Sequence, residues 1–180
     1  MTLTKPRFQK AKREAEQLLE KYEIANSPVP VERIAKREGA RIQFGPLDKE
    51  LSGMFFVKDG VPTIGVNSLH HPNRQRFSLA HELGHMMLHA DIIKGIHVDK
   101  GHAILQRAAL AAEGTDPMEI EANQFAANLL VPDFLLSSIL GDDYTISDDE
   151  EELEALSKKF KVSTVMIQLR LVKWMDSKRR

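Results

Sequence analysis

The sequence predicts an α+β fold that is mostly helical, with a small antiparallel sheet packed on a central helix and a C-terminal helical lobe. Long segments of the chain carry apolar residues at helical spacing. Residues 53–67 contain two β-prone runs joined by Asp59-Gly60, which is a hairpin signal. The last two helical patterns are separated by a tight turn and resemble a helix-turn-helix pair. We therefore expect one domain over residues 1–140 and a lobe over residues 141–180 that packs on it.

The remaining elements follow from local signals along the chain. Residues 6–24 place apolar side chains at helical spacing among charges, which predicts the first helix. A short helix is predicted to begin near Pro30 and to end near Gly39, because proline is favoured in the first turn of a helix and glycine at its C-terminal end. Residues 40–44 are predicted to form a strand before the hairpin. Further helices are predicted from about Asn73, near residues 102–112, between Pro117 and Pro132, and in the C-terminal lobe, where Ser147 and Glu150 form a capping box.

Composition and charge exclude several classes of protein. The chain has 180 residues and a formal net charge of -1, so no global field draws it to nucleic acid or to a membrane. It has no cysteine, which excludes disulfides and thiolate zinc sites, and any metal must take His, Asp or Glu ligands. The N-terminal segment lacks the apolar run of a signal peptide, and no stretch is apolar enough to span a bilayer. We expect a cytoplasmic protein.

One motif carries the chemistry, the stretch "RFSLAHELGHMMLH" at residues 76–89. His81 and His85 are four residues apart, so a helix stacks them on one face, where two neutral imidazoles can hold one Zn²⁺. Glu82 can reach a zinc-bound water and take its proton as the water attacks a carbonyl. Gly84 would let another backbone approach the helix closely. This H-E-x-x-H pattern is typical of zinc metalloproteases, and the competing interpretation is a solvated histidine pair on a structural helix.

A catalytic zinc ion needs a third protein ligand, and several residues compete for that role. Asp91 stands where some proteases have this ligand, but the glycine that would let the chain turn back there is missing. His89 lies one helical turn too far along for the same ion. Two glutamates of a later predicted helix remain, Glu119 and Glu121. Two histidines further along the chain could line the cleft, but they are expected to face solvent: His97 and His102.

The pattern of that later helix favours Glu119 over Glu121. Glu119 lies on the apolar stripe of the helix, which also contains Ala122, Ala126 and Leu129. A carboxylate directed at the interior is costly unless it is paired or bound to a metal. Asn123 is placed to support the ligands by hydrogen bonding, whereas Glu121 falls on the expected outer side, where solvent or a surface pair suits it. We therefore predict His81, His85 and Glu119 as the ligands of one zinc ion per chain.

These residues resemble those of the ImmA/IrrE-type metallopeptidases. The resemblance is carried by "NRQRFSLAHELGHMMLH" and "EIEANQFAANLLVP", and it extends from about residue 11 to residue 172. It implies a zincin-like core of the gluzincin type and a zinc-dependent endopeptidase with Glu82 as the base. The family's motif also places the third ligand on Glu119. Such proteins often act in bacteria and their mobile elements as anti-repressors. They cleave a helix-turn-helix repressor that is usually encoded by an adjacent gene, so the expected partner is a separate protein.

The second strand of the hairpin is expected to lie along the cleft above the zinc ion. Pro62 cannot donate to a strand ladder, which favours an edge position for residues 62–67. Zincins commonly hold an extended substrate by strand addition at such an edge. Ile64 and Val66 are therefore the expected substrate-strand residues.

An alternative function is that of a regulator that binds DNA or protein, such as a toxin–antitoxin component, with a structural or unused zinc site. The C-terminal helices carry basic residues, but with a near-neutral overall charge we do not expect direct binding to nucleic acid. The simpler interpretation of these helices is a packed lobe, with a core of Leu153, Leu156, Phe160, Val165, Leu169 and Val172.

Overall fold

The computed structural model describes residues 5–93, 96–99, 116–141, 143–145 and 149–179. These residues form an α+β fold, as predicted. The helices are α1 (Phe8–Lys21), α2 (Val31–Arg37), α3 (Pro72–His89), α4 (Pro117–Leu130), α5 (Asp133–Leu140), α6 (Glu150–Phe160) and α7 (Thr164–Lys178). The strands are β1 (Arg41–Gly45), β2 (Gly53–Lys58), β3 (Val61–Asn67) and β4 (Ile96–Asp99). The predicted helix near residues 102–112 lies outside the described residues. Among the described helices, none has the length and apolar character needed to cross a membrane.

The sheet has the order β1-β3-β2-β4 and is mixed rather than antiparallel throughout. β2 pairs antiparallel with both β3 and β4, but β1 pairs parallel with β3. The predicted edge position of residues 62–67 is therefore wrong, because β3 has a partner on each side. Pro62 is tolerated there because the ladder with β1 begins only at Thr63, so the missing N–H breaks no bond on that side. Ile64 and Val66 are buried in the interior of the sheet.

α3 is the central helix of the fold. Pro72 occupies its first turn, and the side chain of His71 caps it by accepting a hydrogen bond from Asn73 N at 3.2 Å. Over its second half almost every side chain is buried, because β2, β3 and α4 all pack against it. The backbone of α4 approaches α3 closely at Gly84, where a Cβ would lie 3.2 Å from the Cα of Ala122. Glycine thus permits the backbone approach that the sequence suggested.

The two C-terminal helices meet at the tight turn that the sequence predicts. Asp149 caps α6 by accepting from Glu151 N at 2.9 Å, whereas the predicted cap was Ser147, which lies outside the described residues. An aspartate caps as well as a serine and its charge also suits a helix N-terminus. Lys161 adopts a left-handed conformation with φ of 53°, and Ser163 then caps α7.

α7 is rotated relative to the predicted core stripe. Its buried side chains are Met166, Ile167, Arg170, Leu171 and Trp174, whereas Val172 is 49% exposed and Val165 and Leu169 are half-buried. One of these buried residues is Arg170, whose burial a stripe of apolar residues does not predict. Its guanidinium donates to Val131 O at 2.9 Å and pairs with Asp133 at 2.5 Å. This partly buried ion pair holds α7 against the junction of α4 and α5.

Candidate metal centre

The structure brings three predicted ligands together between α3 and α4. His81 and His85 are fully buried, one helical turn apart, with their Nε2 atoms 3.0 Å from each other. The carboxylate of Glu119 reaches across from α4, with Oε2 3.2 Å from His81 Nε2 and Oε1 3.2 Å from His85 Nε2. Asp91, the competing candidate, is exposed beyond the end of α3.

The chemistry of these atoms fits a divalent cation. His81 Nδ1 is 2.9 Å from Asn123 Oδ1, and an amide oxygen only accepts, so Nδ1 carries the proton and Nε2 presents a lone pair to the centre. Burial lowers the pKa of His85 to about 3, so its imidazole is neutral at physiological pH. Lone pairs and a carboxylate that converge in this way repel one another unless a cation lies between them. Two imidazole nitrogens and one carboxylate are a donor set that zinc accepts.

Glu119 is ionised in this setting. Burial raises its pKa, but the contacts with His81, His85 and His97 outweigh burial and hold the pKa of Glu119 well below its ordinary value. Its side chain is 24% exposed, so the centre opens to solvent on the side of this carboxylate. An ionised carboxylate with solvent access leaves room for a water or a substrate beside the three donors.

Glu82 lies at the same centre but comes from a different direction. Its side chain is fully buried, and its carboxylate packs over Gly53 at the start of β2, where a Cβ would lie 2.9 Å from Oε1. Donor atoms of Glu82, His85 and His97 all lie within 4.8 Å of one another. The carboxylate is therefore close enough to act on a group held between His85 and His97.

His97 was predicted to face solvent, and this prediction is wrong. The side chain is only 16% exposed, its Nε2 is 2.8 Å from Glu119 Oε1, and its ring centroid is 3.9 Å from that of His85. The pairing of β4 with β2, which sets His97 opposite Phe55, carries the residue to the centre. No local pattern in the sequence indicates this long-range pairing. His102 lies outside the described residues.

Glu121 was predicted to lie on the outer side of its helix, and this prediction is also wrong. Its side chain is 0% exposed, because the start of α1 covers that side of α4. Arg7 contacts it with its backbone N at 2.6 Å and its Nη2 at 2.8 Å, and His89 Nε2 lies 3.1 Å from Oε2. Burial raises the pKa of Glu121, yet the hydrogen bonds from Arg7 and His89 leave it below its ordinary value.

The comparisons with known proteins show the family of this chain. Residues 35–172 match the family model Peptidase M78, described as the IrrE N-terminal-like domain. A relative named uncharacterized immunity region protein 2, from Bacillus phage phi105, is 27% identical over 133 residues, covering 74% of this chain and 75% of the phage protein. A solved structure of a Mycobacterium tuberculosis transcriptional regulator matches 88% of this chain with a TM-score of 0.53 and 15% identity. At 15% identity this likeness concerns the fold alone, and the chain spans 45% of the regulator's length. The chain belongs to the IrrE N-terminal-like family of peptidases.

Proposed function

We propose that this chain is a zinc-dependent endopeptidase with His81, His85 and Glu119 as metal ligands and Glu82 as the general base. One observation carries the proposal: the two histidines of the H-E-x-x-H helix and the glutamate of α4 converge to within 3.2 Å of one another. Membership of a metallopeptidase family supports the same conclusion. A purely structural metal would need the ligands but not a buried carboxylate beside them.

Each residue of the centre has a different role in the proposed reaction. A zinc ion, when bound, supplies Lewis acidity toward a water molecule and toward the scissile carbonyl. Glu82 accepts the proton of the attacking water and returns it to the leaving amine. Asn123 holds the ring of His81 so that its Nε2 is directed at the centre. Gly53 leaves the space in which the Glu82 carboxylate lies, since a side chain there would contact Oε1.

The substrate that we propose is a helix-turn-helix repressor encoded by a neighbouring gene. The resemblance to anti-repressor peptidases supports it, and so does the likeness to a protein named for a phage immunity region. The docking strand cannot be β3, which is paired on both sides. Among the described strands, β4 lies at the sheet edge beside the ligands, and we propose that an extended segment of the repressor lies along it.

The test is to mix the purified, zinc-loaded protein with the product of its neighbouring gene and to analyse fragments by mass spectrometry. Wild type should produce discrete fragments, and Glu82→Gln should bind zinc normally but produce none, because an amide cannot accept the proton. Glu154→Gln, at an exposed position of α6, is the matched control and should cleave like wild type. Full cleavage by Glu82→Gln would exclude the proposed mechanism. Tight binding without fragments, equal in wild type and Glu82→Gln, would favour a regulator that acts by binding.

A further inference from the structure

A continuous chain of polar contacts leads from the start of α1 to the ligand His85. The guanidinium of Arg7 contacts both carboxylate oxygens of Glu121, at 2.9 Å from Nε to Oε1 and 2.8 Å from Nη2 to Oε2. Glu121 Oε2 lies 3.1 Å from His89 Nε2, and His89 Nδ1 lies 3.2 Å from His85 Nδ1. Glu121, His89 and His85 are all fully buried, so water does not compete for these contacts.

Donor and acceptor roles along this chain follow from the carboxylate. An ionised carboxylate only accepts, so the proton between Glu121 and His89 is on His89 Nε2. A neutral His89 then has a lone pair on Nδ1, which accepts from Nδ1–H of His85. The proton of His85 is therefore on Nδ1, and its Nε2 presents a lone pair to Glu119 and His81. His85 thus donates to His89 and His89 donates to Glu121, while Arg7 donates to the same carboxylate from the other side.

Different groups hold the two histidine ligands in the same tautomer. His81 has Asn123 within 2.9 Å of its Nδ1, so one amide oxygen fixes its ring. His85 faces the far end of α3, where the next polar group is His89, one helical turn on. The histidine that looked one turn too distant to bind the ion is thus the group that orients a ligand. Partners of this kind fix the tautomer and ring orientation of metal-binding histidines.

We infer that Arg7, Glu121 and His89 form a positioning chain that fixes the Nδ1–H tautomer and the orientation of His85 for metal binding. This inference rests on the metal site of the proposed function, but it concerns residues that bind neither metal nor substrate. The competing interpretation is that Arg7 and Glu121 simply attach α1 to α4. Lys12 offers a matched control. It attaches α1 to α5 through Asp133 at 2.6 Å, but it makes no contact in the series that leads from Arg7 to His85.

The first experiment uses wild-type protein and does not depend on a measurement of activity. In metal-free wild type labelled with ¹⁵N-histidine, long-range ¹H–¹⁵N spectra report which ring nitrogen of His85 carries the proton. The expected result is protonation at Nδ1, with a pyridine-type shift for Nε2. Protonation at Nε2 in the folded, metal-free protein would overturn the inference.

The second experiment measures zinc affinity by competition with a chelator. His89→Phe keeps the bulk but removes the acceptor, so affinity should fall about 10- to 100-fold and the Nδ1–H signal of His85 should be lost. His89→Gln retains an acceptor oxygen and should recover part of the affinity, while Lys12→Met should bind like wild type. Equal affinity in His89→Phe and wild type would overturn the inference. A protein with the expected tautomer and affinities that cleaves no repressor would instead refute the proposed function and leave the positioning chain in place.

Discussion

Gly84→Ala tests how closely α3 and α4 must approach each other. The added Cβ would lie 3.0 Å from Phe125 Cδ1, 3.2 Å from Ala122 Cα and 3.3 Å from Ala122 O. The phenylalanine ring can turn away, but the two backbone atoms of Ala122 cannot. The helices must therefore separate by a few tenths of an ångström. Glu119 lies one turn earlier on α4, so any separation also moves this carboxylate away from the histidines.

Two opposing effects determine the size of the change. Overpacking of this kind costs about 1–3 kcal/mol. Alanine in a helix interior is favoured over glycine by about 1 kcal/mol, which offsets part of that cost. We therefore expect Gly84→Ala to destabilise the metal-free protein by about 1 kcal/mol. For a chain of this length such a change lowers Tm by about 2–4 °C.

The assay is thermal unfolding of metal-free protein followed by circular dichroism, together with zinc affinity by chelator competition. Ala155→Gly, at an exposed position of α6, is the control, because it measures the alanine–glycine preference of a helix in this protein without any packing effect. Zinc affinity should fall in Gly84→Ala and be unchanged in Ala155→Gly. A Gly84→Ala variant with higher Tm and wild-type zinc affinity would refute the argument that the helix contact leaves no space.

Three further predictions concern single side chains. Glu119→Ala should abolish stoichiometric zinc binding in metal analysis of the purified protein, and zinc at the wild-type level would show that another group is the third ligand. Asp133→Asn removes the charged partner of buried Arg170 and should destabilise the fold by about 2 kcal/mol at pH 7 in urea unfolding, because Asp133 itself is partly exposed. Burial raises the pKa of Asp133, but the charges of Arg170 and Lys12 lower it by a larger amount, so the pKa lies below the ordinary 3.8. Its stabilisation is present above that value and disappears as the pH falls, so wild type and variant should converge in acid; a constant difference down to pH 2 would contradict this. His97→Ala should retain zinc but lower the rate of repressor cleavage, and loss of zinc would identify His97 as a ligand.

Local patterns predict the parts of the centre that a single helix determines. The spacing of His81 and His85 needs only the helical period, and the stripe on α4 directs Glu119 toward α3, where the structure places it. Neither inference depends on how distant segments pair. For this reason the three side chains could be proposed as ligands before any tertiary contact was known.

The three errors at the sheet and the centre involve contacts between distant segments. The edge position of β3 was wrong because a parallel partner, β1, joins it from an earlier part of the chain. His97 reaches the centre only through the pairing of β4 with β2. Glu121 is buried because α1 covers a side of α4 that looks polar in sequence. Hydrophobic periodicity describes one element at a time, and none of these partners can be read from it.

The attachment of Arg7 to Glu121 has a practical consequence for any shortened form of this protein. The family match begins at residue 35, well after α1, so a chain trimmed to the matched region would lose Arg7 together with the helix that follows it. The carboxylate of Glu121 would then have His89 as its remaining partner and would be newly open to water, along with the apolar face that α1 covers on α4. Deletion of a segment far from the H-E-x-x-H motif would thus affect the proposed ligand His85 through Glu121 and His89. Proteolysis between α1 and residue 35 would have the same effect if α1 then separated from α4, and we expect metal binding at His85 to weaken.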